Sequence, residues 1–209
     1  MAKYFNYYPK TFYSNPFTKS KALDIVTNIT SRFTFQPQLK ENAVTFYEYS
    51  VQEGDTPEII AHKYYGHSEK HWIILLFNDI VDPQFDWPMS ESLLNRYVDK
   101  KYQHLGGLSW AKNVNNIHSY YKIITTKLDY DGTELVNKLN ITAQEHYVTG
   151  TSVMTYLLHD GYGITETITT ETISYFEYEQ QENEAKRVIK LLKPEFVDMV
   201  EEQLKEVFV

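Results

Sequence analysis

The amino-acid sequence predicts an α+β fold, because helical and strand-like periodicities occupy separate blocks of the chain. Three observations carry that prediction. Residues 45–51 alternate and are rich in Thr, Tyr, Phe and Val, as a strand is. Residues 56–77 hold two stretches of helical spacing with a turn between them. Residues 117–176 then return to alternation before a final apolar stripe at helical spacing. The predicted organisation is an N-terminal aromatic arm and short helix (1–44), a β-α-α module (45–88) and a connecting helix (89–105). A β-rich or flexible region (106–180) follows, then a C-terminal strand and amphipathic helix (181–209).

Residues 1–20 hold Pro9, Pro16 and many aromatics without periodicity, which predicts an extended arm packed against something. Ala22, Val26, Ile29 and Phe33 share one helical face and predict a short helix that Pro37 ends, with a polar connector over 38–44. After the strand at 45–51, Glu53-Gly54-Asp55 makes a turn. Thr56-Pro57 then opens a helix, the threonine oxygen capping free N–H groups and the proline losing no hydrogen bond at the first position. Gly66 closes that helix and Ser68 caps the next, which runs through Trp72 to about Phe77.

A third helix opens at Pro88 and Ser90 and carries Leu94, Tyr97, Val98 and Lys101 at helical spacing; Gly106-Gly107 marks a boundary. Strands are predicted at Tyr120–Leu128 and Thr165–Tyr175, with turns at Asp131-Gly132 and Gly161–Gly163. Few large apolar residues support this stretch, so a flexible insertion fits it equally. Arg187–Leu192 predicts a last strand. Phe196, Val200, Leu204 and Val207 then form a stripe opposite Glu195, Asp198, Glu201, Glu202 and Glu206.

Composition narrows the function. The 209 residues carry a formal net charge of −8, and the longest basic runs are pairs such as Lys100-Lys101 and Lys186-Arg187, which disfavours nucleic acid as a partner. Without cysteine there are no disulfides and no thiolate metal sites. The N-terminus lacks the apolar core of a signal peptide, and the longest apolar run, Trp72–Phe77, falls far short of the roughly 20 residues a bilayer requires. A soluble protein made in the cytoplasm is expected, with no membrane partner. The 18 Tyr and 11 Phe suit surfaces that are buried on assembly, and equally an aromatic core.

Catalytic candidates are weak. His67 and His71 have helical spacing, but Gly66 and Ser68 put His67 in a turn, and no carboxylate completes a metal set with them or His62. Glu53 with Asp55, and Asp79 with Asp82, read as turn formers and caps before they read as a glycosidase pair. The nucleophile elbow and the phosphate-binding glycine loop are both missing. No enzyme activity, metal, cofactor or small-molecule substrate is expected.

Residues 49–66 read Tyr-Ser-Val-Gln-Glu-Gly-Asp-Thr-Pro-Glu-Ile-Ile-Ala-His-Lys-Tyr-Tyr-Gly, followed by Trp72, Asn78, Ile80, Asp82 and Pro83. This order resembles the LysM family, and the resemblance assigns its motif to Gly54, Asp55, Thr56, Ile60, Ala61, Gly66, Asn78 and Pro83. It implies a LysM-like β-α-α module. Two departures stand out. The family's second strand is absent after Pro83, where the chain reads Gln84-Phe-Asp-Trp-Pro-Met-Ser. The second helix, Trp72-Ile-Ile-Leu-Leu-Phe77, is also apolar almost all round, so side chains its own sheet does not hide need another cover.

Together with the aromatic arm, Asp86-Trp87-Pro-Met-Ser and the ending from Glu182, these features resemble the LysM-containing baseplate wedge proteins of contractile-tail, T-even-type bacteriophages. That resemblance implies a structural virion subunit, assembled in the host cytoplasm, that joins neighbouring wedge proteins. Trp72, Ile73, Leu76, Phe77, Trp87, Phe196, Val200 and Leu204 are then the candidate partner-binding residues. The alternative is a peptidoglycan- or chitin-binding LysM module of a cell-wall protein, with glycan expected at Gly54–Pro57 and Phe77–Asp82.

Overall fold

The computed structural model describes residues 4–14, 23–158 and 161–208. A 3-10 turn at Tyr4–Tyr7 leads to β1 (Lys10–Tyr13), β2 (Asp24–Thr27), α1 (Pro37–Glu41), β3 (Phe46–Ser50), α2 (Pro57–Tyr65) and α3 (His71–Phe77). Next come α4 (Pro83–Asp86), α5 (Glu91–Lys101), α6 (Gly107–Ala111), β4 (Ile117–Leu128), β5 (Glu134–Ile141) and α7 (Ala143–Thr149). The order ends with β6 (Ser152–Leu157), β7 (Gly163–Ser174), α8 (Tyr175–Ala185), β8 (Val188–Leu192) and α9 (Val197–Phe208). The chain divides into two compact units, one of residues 1–90 with 185–209 and the other of residues 91–184.

In the first unit the local signals act as their chemistry requires. Thr56 Oγ1 accepts from the Ile59 N–H at 3.3 Å, Pro57 takes the first turn of α2, and Gly66 ends it at φ 73° with its N–H on the His62 carbonyl. Gly54 turns at φ 84°, a conformation that costs other residues a steric clash. Ser68 does not cap α3. It opens a 3-10 turn, Ser68–Lys70, that feeds α3 directly.

Three expectations are corrected here. The helix predicted from Ala22 to Phe33 is instead β2, paired antiparallel with β1 in the register Phe12↔Ile25 and Thr11↔Val26. Its β-branched run Ile25-Val26-Thr27 favours a pleated strand. Phe33 and Phe35, two residues apart, both point into the core. Pro16 and Ala22 lie outside the described residues. Pro37 starts a helix rather than ending one, standing at the first position of α1 inside the expected polar connector. Finally, β3 does have a partner strand. It is β8, paired antiparallel from Phe46↔Leu192 to Ser50↔Val188, and it reaches β3 only after the whole second unit has intervened.

The second unit is built on a four-stranded antiparallel sheet in the order β5-β4-β7-β6. The stretch that fitted a flexible insertion is thus a regular sheet, with β4 and β7 paired from Ile117↔Ser174 to Leu128↔Ile164. Its buried side chains include Leu94, Val98, Tyr102, Ala111 and Ile173 together with Glu179 and Asn183, and Tyr102 meets the Trp110 and Tyr175 rings. Glu179 accepts from Lys101 Nζ at 2.6 Å and from the Tyr102 hydroxyl at 2.7 Å. Burial opposes the Lys101 charge, yet the Glu179 carboxylate raises its pKa above the ordinary lysine value. Burial first, and then the same carboxylate, pushes Tyr102 up to about 12.

Candidate assembly surfaces

The turn before α2 is tied by one carboxylate. Asp55 Oδ2 accepts from the Tyr49 hydroxyl at 2.6 Å and from the Gln52 N–H at 3.1 Å, and Oδ1 accepts from Lys63 Nζ at 2.8 Å. Burial alone would raise the Asp55 pKa, but the donors from Lys63, Tyr49 and Gln52 hold it below the usual value. The same hydrogen bond, with burial second, lifts Tyr49 to about 12. Trp87 Nε1 donates to the Asp55 carbonyl at 3.0 Å, so this indole closes the turn from the other side. Asp82 accepts from the Gln84 N–H at the start of α4, and Asp86 from the Val81 and Asp82 N–H groups. Asp55 thus ties its turn and Asp82 caps α4, the roles expected of them, and Asp86 likewise holds backbone N–H groups.

α3 is apolar all round because it is covered on two sides. Trp72, Ile73 and Phe77 join Tyr8, Phe33, Phe35, Leu192, Val197, Val200 and Leu204. Ile74 faces the other way, into Val51, Ile60, Ala61, Ile80, Trp87, Ile189 and Leu191. Tyr4 stacks on Trp72 at 4.8 Å, and Phe35 meets Phe77 edge-on at 5.3 Å. The surplus apolar surface that pointed to an outside partner is therefore satisfied within the unit, by the aromatic arm on one flank and α9 on another.

This relocates the partner-binding candidates. Trp72, Ile73, Phe77, Trp87, Val200 and Leu204 are all buried, and Leu76 and Phe196 are partly covered by the same cluster. They are core side chains, not an open face. Of the stripe on α9, Val207 is exposed. Of the motif residues, Ile60 and Ala61 are core, and Gly54, Asp55, Thr56 and Gly66 shape α2 and the turn before it. Pro83 sits in the first turn of α4. Asn78 ties the end of α3 to β8, its amide donating to the Lys190 carbonyl at 2.8 Å and its Oδ1 accepting the Lys190 N–H at 2.7 Å.

The open apolar surface lies elsewhere. Directly paired residues of an antiparallel sheet share a face. The register puts Leu135, Thr126, Glu166 and Met154 in one row, Asn137, Ile124, Ile168 and Ser152 in the next on that face, and Leu139 and Ile141 further along β5. Leu128, Ile164 and Tyr156 complete the same face. The opposite face is mixed: Lys138 bridges to Glu171 at 2.6 Å and lies over the Tyr121 ring among Thr125, Thr167 and Thr169, while Val136, Val153 and Leu157 stand exposed on it.

α7 covers only one end of the apolar face, where His146 meets the Tyr120 ring. Beyond it Leu135, Leu139, Met154 and Tyr156 stay 49–57% exposed. An antiparallel sheet ordinarily packs its apolar face on a core; here the described residues leave it open. A second exposed pair, Phe12 and Ile25 at 71% and 68%, stands on the paired strands β1 and β2. Sequence reasoning missed both because it looked for stripes on helices. The alternation of β5, Leu135 to Leu139 to Ile141, was the available signal.

No group of His, Asp and Glu suited to a metal is found among the described residues, and no helix is long and apolar enough to cross a membrane. Exposed apolar faces of this kind are a mark of proteins that associate with other chains. The chain belongs to the base plate wedge protein 53 family, whose profile matches residues 3–205. It is also 30% identical over 78 residues to Baseplate wedge protein gp53 of Enterobacteria phage T4. That alignment covers 37% of this chain and 40% of the relative's length.

Proposed function

We propose that the chain is a non-catalytic structural subunit of a phage tail baseplate wedge, joining other wedge proteins during assembly in the host cytoplasm and remaining in the virion. Family membership supports the setting, and the exposed apolar sheet face at Leu135, Leu139, Met154 and Tyr156 carries the mode of action. Fully burying an exposed side chain of this size contributes about 1.5–3 kcal/mol, and these four, already half covered, each contribute about half of that against the cost of association.

The first unit is proposed to be a LysM-like scaffold of β3, α2, α3 and β8, its closing strand drawn from beyond the inserted second unit. In this reading the module is a platform held rigid by Asn78 and Asp55, and the association surface sits on the insertion.

The test is reconstitution. The chain, or its Leu139→Glu and Met154→Glu variants, is mixed with the other wedge proteins of the same phage and followed by sedimentation. The wild type is expected to enter the complex, and the variants to keep native circular dichroism but stay free. Variants that assemble as well as wild type, or an identical complex formed without the chain, would overturn the proposal. Retention on chitin that soluble chito-oligosaccharide competes away would favour the cell-wall reading instead.

A further inference from the structure

β6 ends the sheet, with β7 as its hydrogen-bonded neighbour. In an antiparallel pair, residues alternate between turning both backbone groups to the partner and turning both away. The phase is fixed by Leu158, whose N–H donates to the Tyr162 carbonyl at 2.7 Å. Stepping back by twos, Tyr156, Met154 and Ser152 face β7, and Val153, Thr155 and Leu157 turn their N–H and C=O groups outward. A second hydrogen bond agrees: Gly163, opposite Leu157, turns away from β6 and accepts from the Asp129 N–H at 3.0 Å.

Proteins usually guard such an edge with charge, proline or a bulge. The other edge, β5, carries Glu134 and Lys138. β6 reads Ser-Val-Met-Thr-Tyr-Leu, with neither charge nor proline, and Val153 and Leu157 are 62% and 82% exposed. Among the described residues this row of backbone donors and acceptors is open, and such a row selects an extended polypeptide as its occupant.

We propose that a second copy of this chain adds antiparallel to β6, pairing Thr155 with Thr155 and Val153 with Leu157. A strand without charge meets its own copy without like-charge repulsion. One register about Thr155 engages all the outward-turned residues at once. It sets Thr opposite Thr, a favourable cross-strand pair, and Val opposite Leu. On the apolar face it sets Met154 opposite Tyr156, a sulfur–aromatic contact. The two four-stranded sheets then become one, with their apolar faces on the same side.

The chain has no cysteine, so Thr155→Cys introduces a sole thiol. With a short thiol–thiol cross-linker the purified full chain is expected to give a covalent dimer. The control Val114→Cys, at a position 75% exposed on a loop, should give far less. Sedimentation should show a mass rising with concentration from 24.7 kDa towards twice that value. Val153→Lys should hold it at the single-chain mass with unchanged circular dichroism. Equal cross-linking at both positions, or a monomer at every concentration, overturns the proposal. So does protection of the Val153, Thr155 and Leu157 amides from hydrogen exchange that appears only when a different protein is added, since the occupant is then a foreign strand.

Discussion

Asn78 grips Lys190 by both backbone groups, donating to its carbonyl at 2.8 Å and accepting from its N–H at 2.7 Å. The side-chain amide thereby substitutes for a neighbouring strand, and its other N–H proton goes to the Ile74 carbonyl at the end of α3. Replacing Asn78 with Ala strips both Lys190 groups of their partner in a half-buried place. A loss of about 2–3 kcal/mol is expected, since an orphaned polar group costs more than a bond contributes. Denaturant unfolding with an unchanged slope would check it; a loss within error of zero would show that water replaces the amide.

Ending the chain after Pro194 removes Val197, Val200 and Leu204, which lie against Trp72 and Phe77. At about 1.5–3 kcal/mol each this approaches the whole stability of a typical domain. The first unit should lose cooperative thermal unfolding. A truncated chain that melts like the full one would mean that α9 is an attachment and not part of the core.

Acid should loosen the turn before α2. The folded state holds Asp55 below its ordinary value, so it binds that proton less readily than the unfolded chain does. The stabilisation is thus complete above the ordinary carboxylate value of about 3.9 and is lost as pH falls through the folded value. Asp55→Asn should be less stable near neutrality and show a shallower acid dependence. Parallel curves for the two proteins would refute the assignment.

Removing Glu179 isolates the buried Tyr102 hydroxyl but leaves Lys101 free to be hydrated, since its side chain is 42% exposed. The expected cost of Glu179→Ala is accordingly about 2 kcal/mol, below that of a fully buried pair. In Glu179→Gln the Tyr102 titration, raised to about 12, should move back towards the ordinary value without reaching it, because burial is the larger cause. Ultraviolet titration of the phenol reads this directly.

The sequence was most legible where a residue's own backbone chemistry decides. Thr56, Pro57 and Gly66 mark α2 because capping, ring closure and positive φ are local matters. α5 showed through Leu94 and Val98, and α9 through Val200 and Leu204. α8 escaped because the residues it buries are Glu179 and Asn183, so it has no apolar stripe. α7 had a readable signal in its capping box, Thr142 with Glu145, which the strand-like surroundings masked. The pairing of β3 with β8 left no local trace, because which distant strand completes a sheet is decided by the packed whole. The missing cover for α3 was inferred correctly as a need, but the sequence could not say that Tyr8, Phe33 and Val200 would meet it.

The route of the strands also constrains how the molecule is made. A ribosome releases β3 and α3 long before β8 exists, so Trp72 and Phe77 must wait while an entire separate unit is synthesised. During that interval the nascent chain is greasy and vulnerable to premature sticking. Any product cut off inside the insertion therefore exposes its own defect, and a proofreading chaperone or protease would need no other mark to remove it.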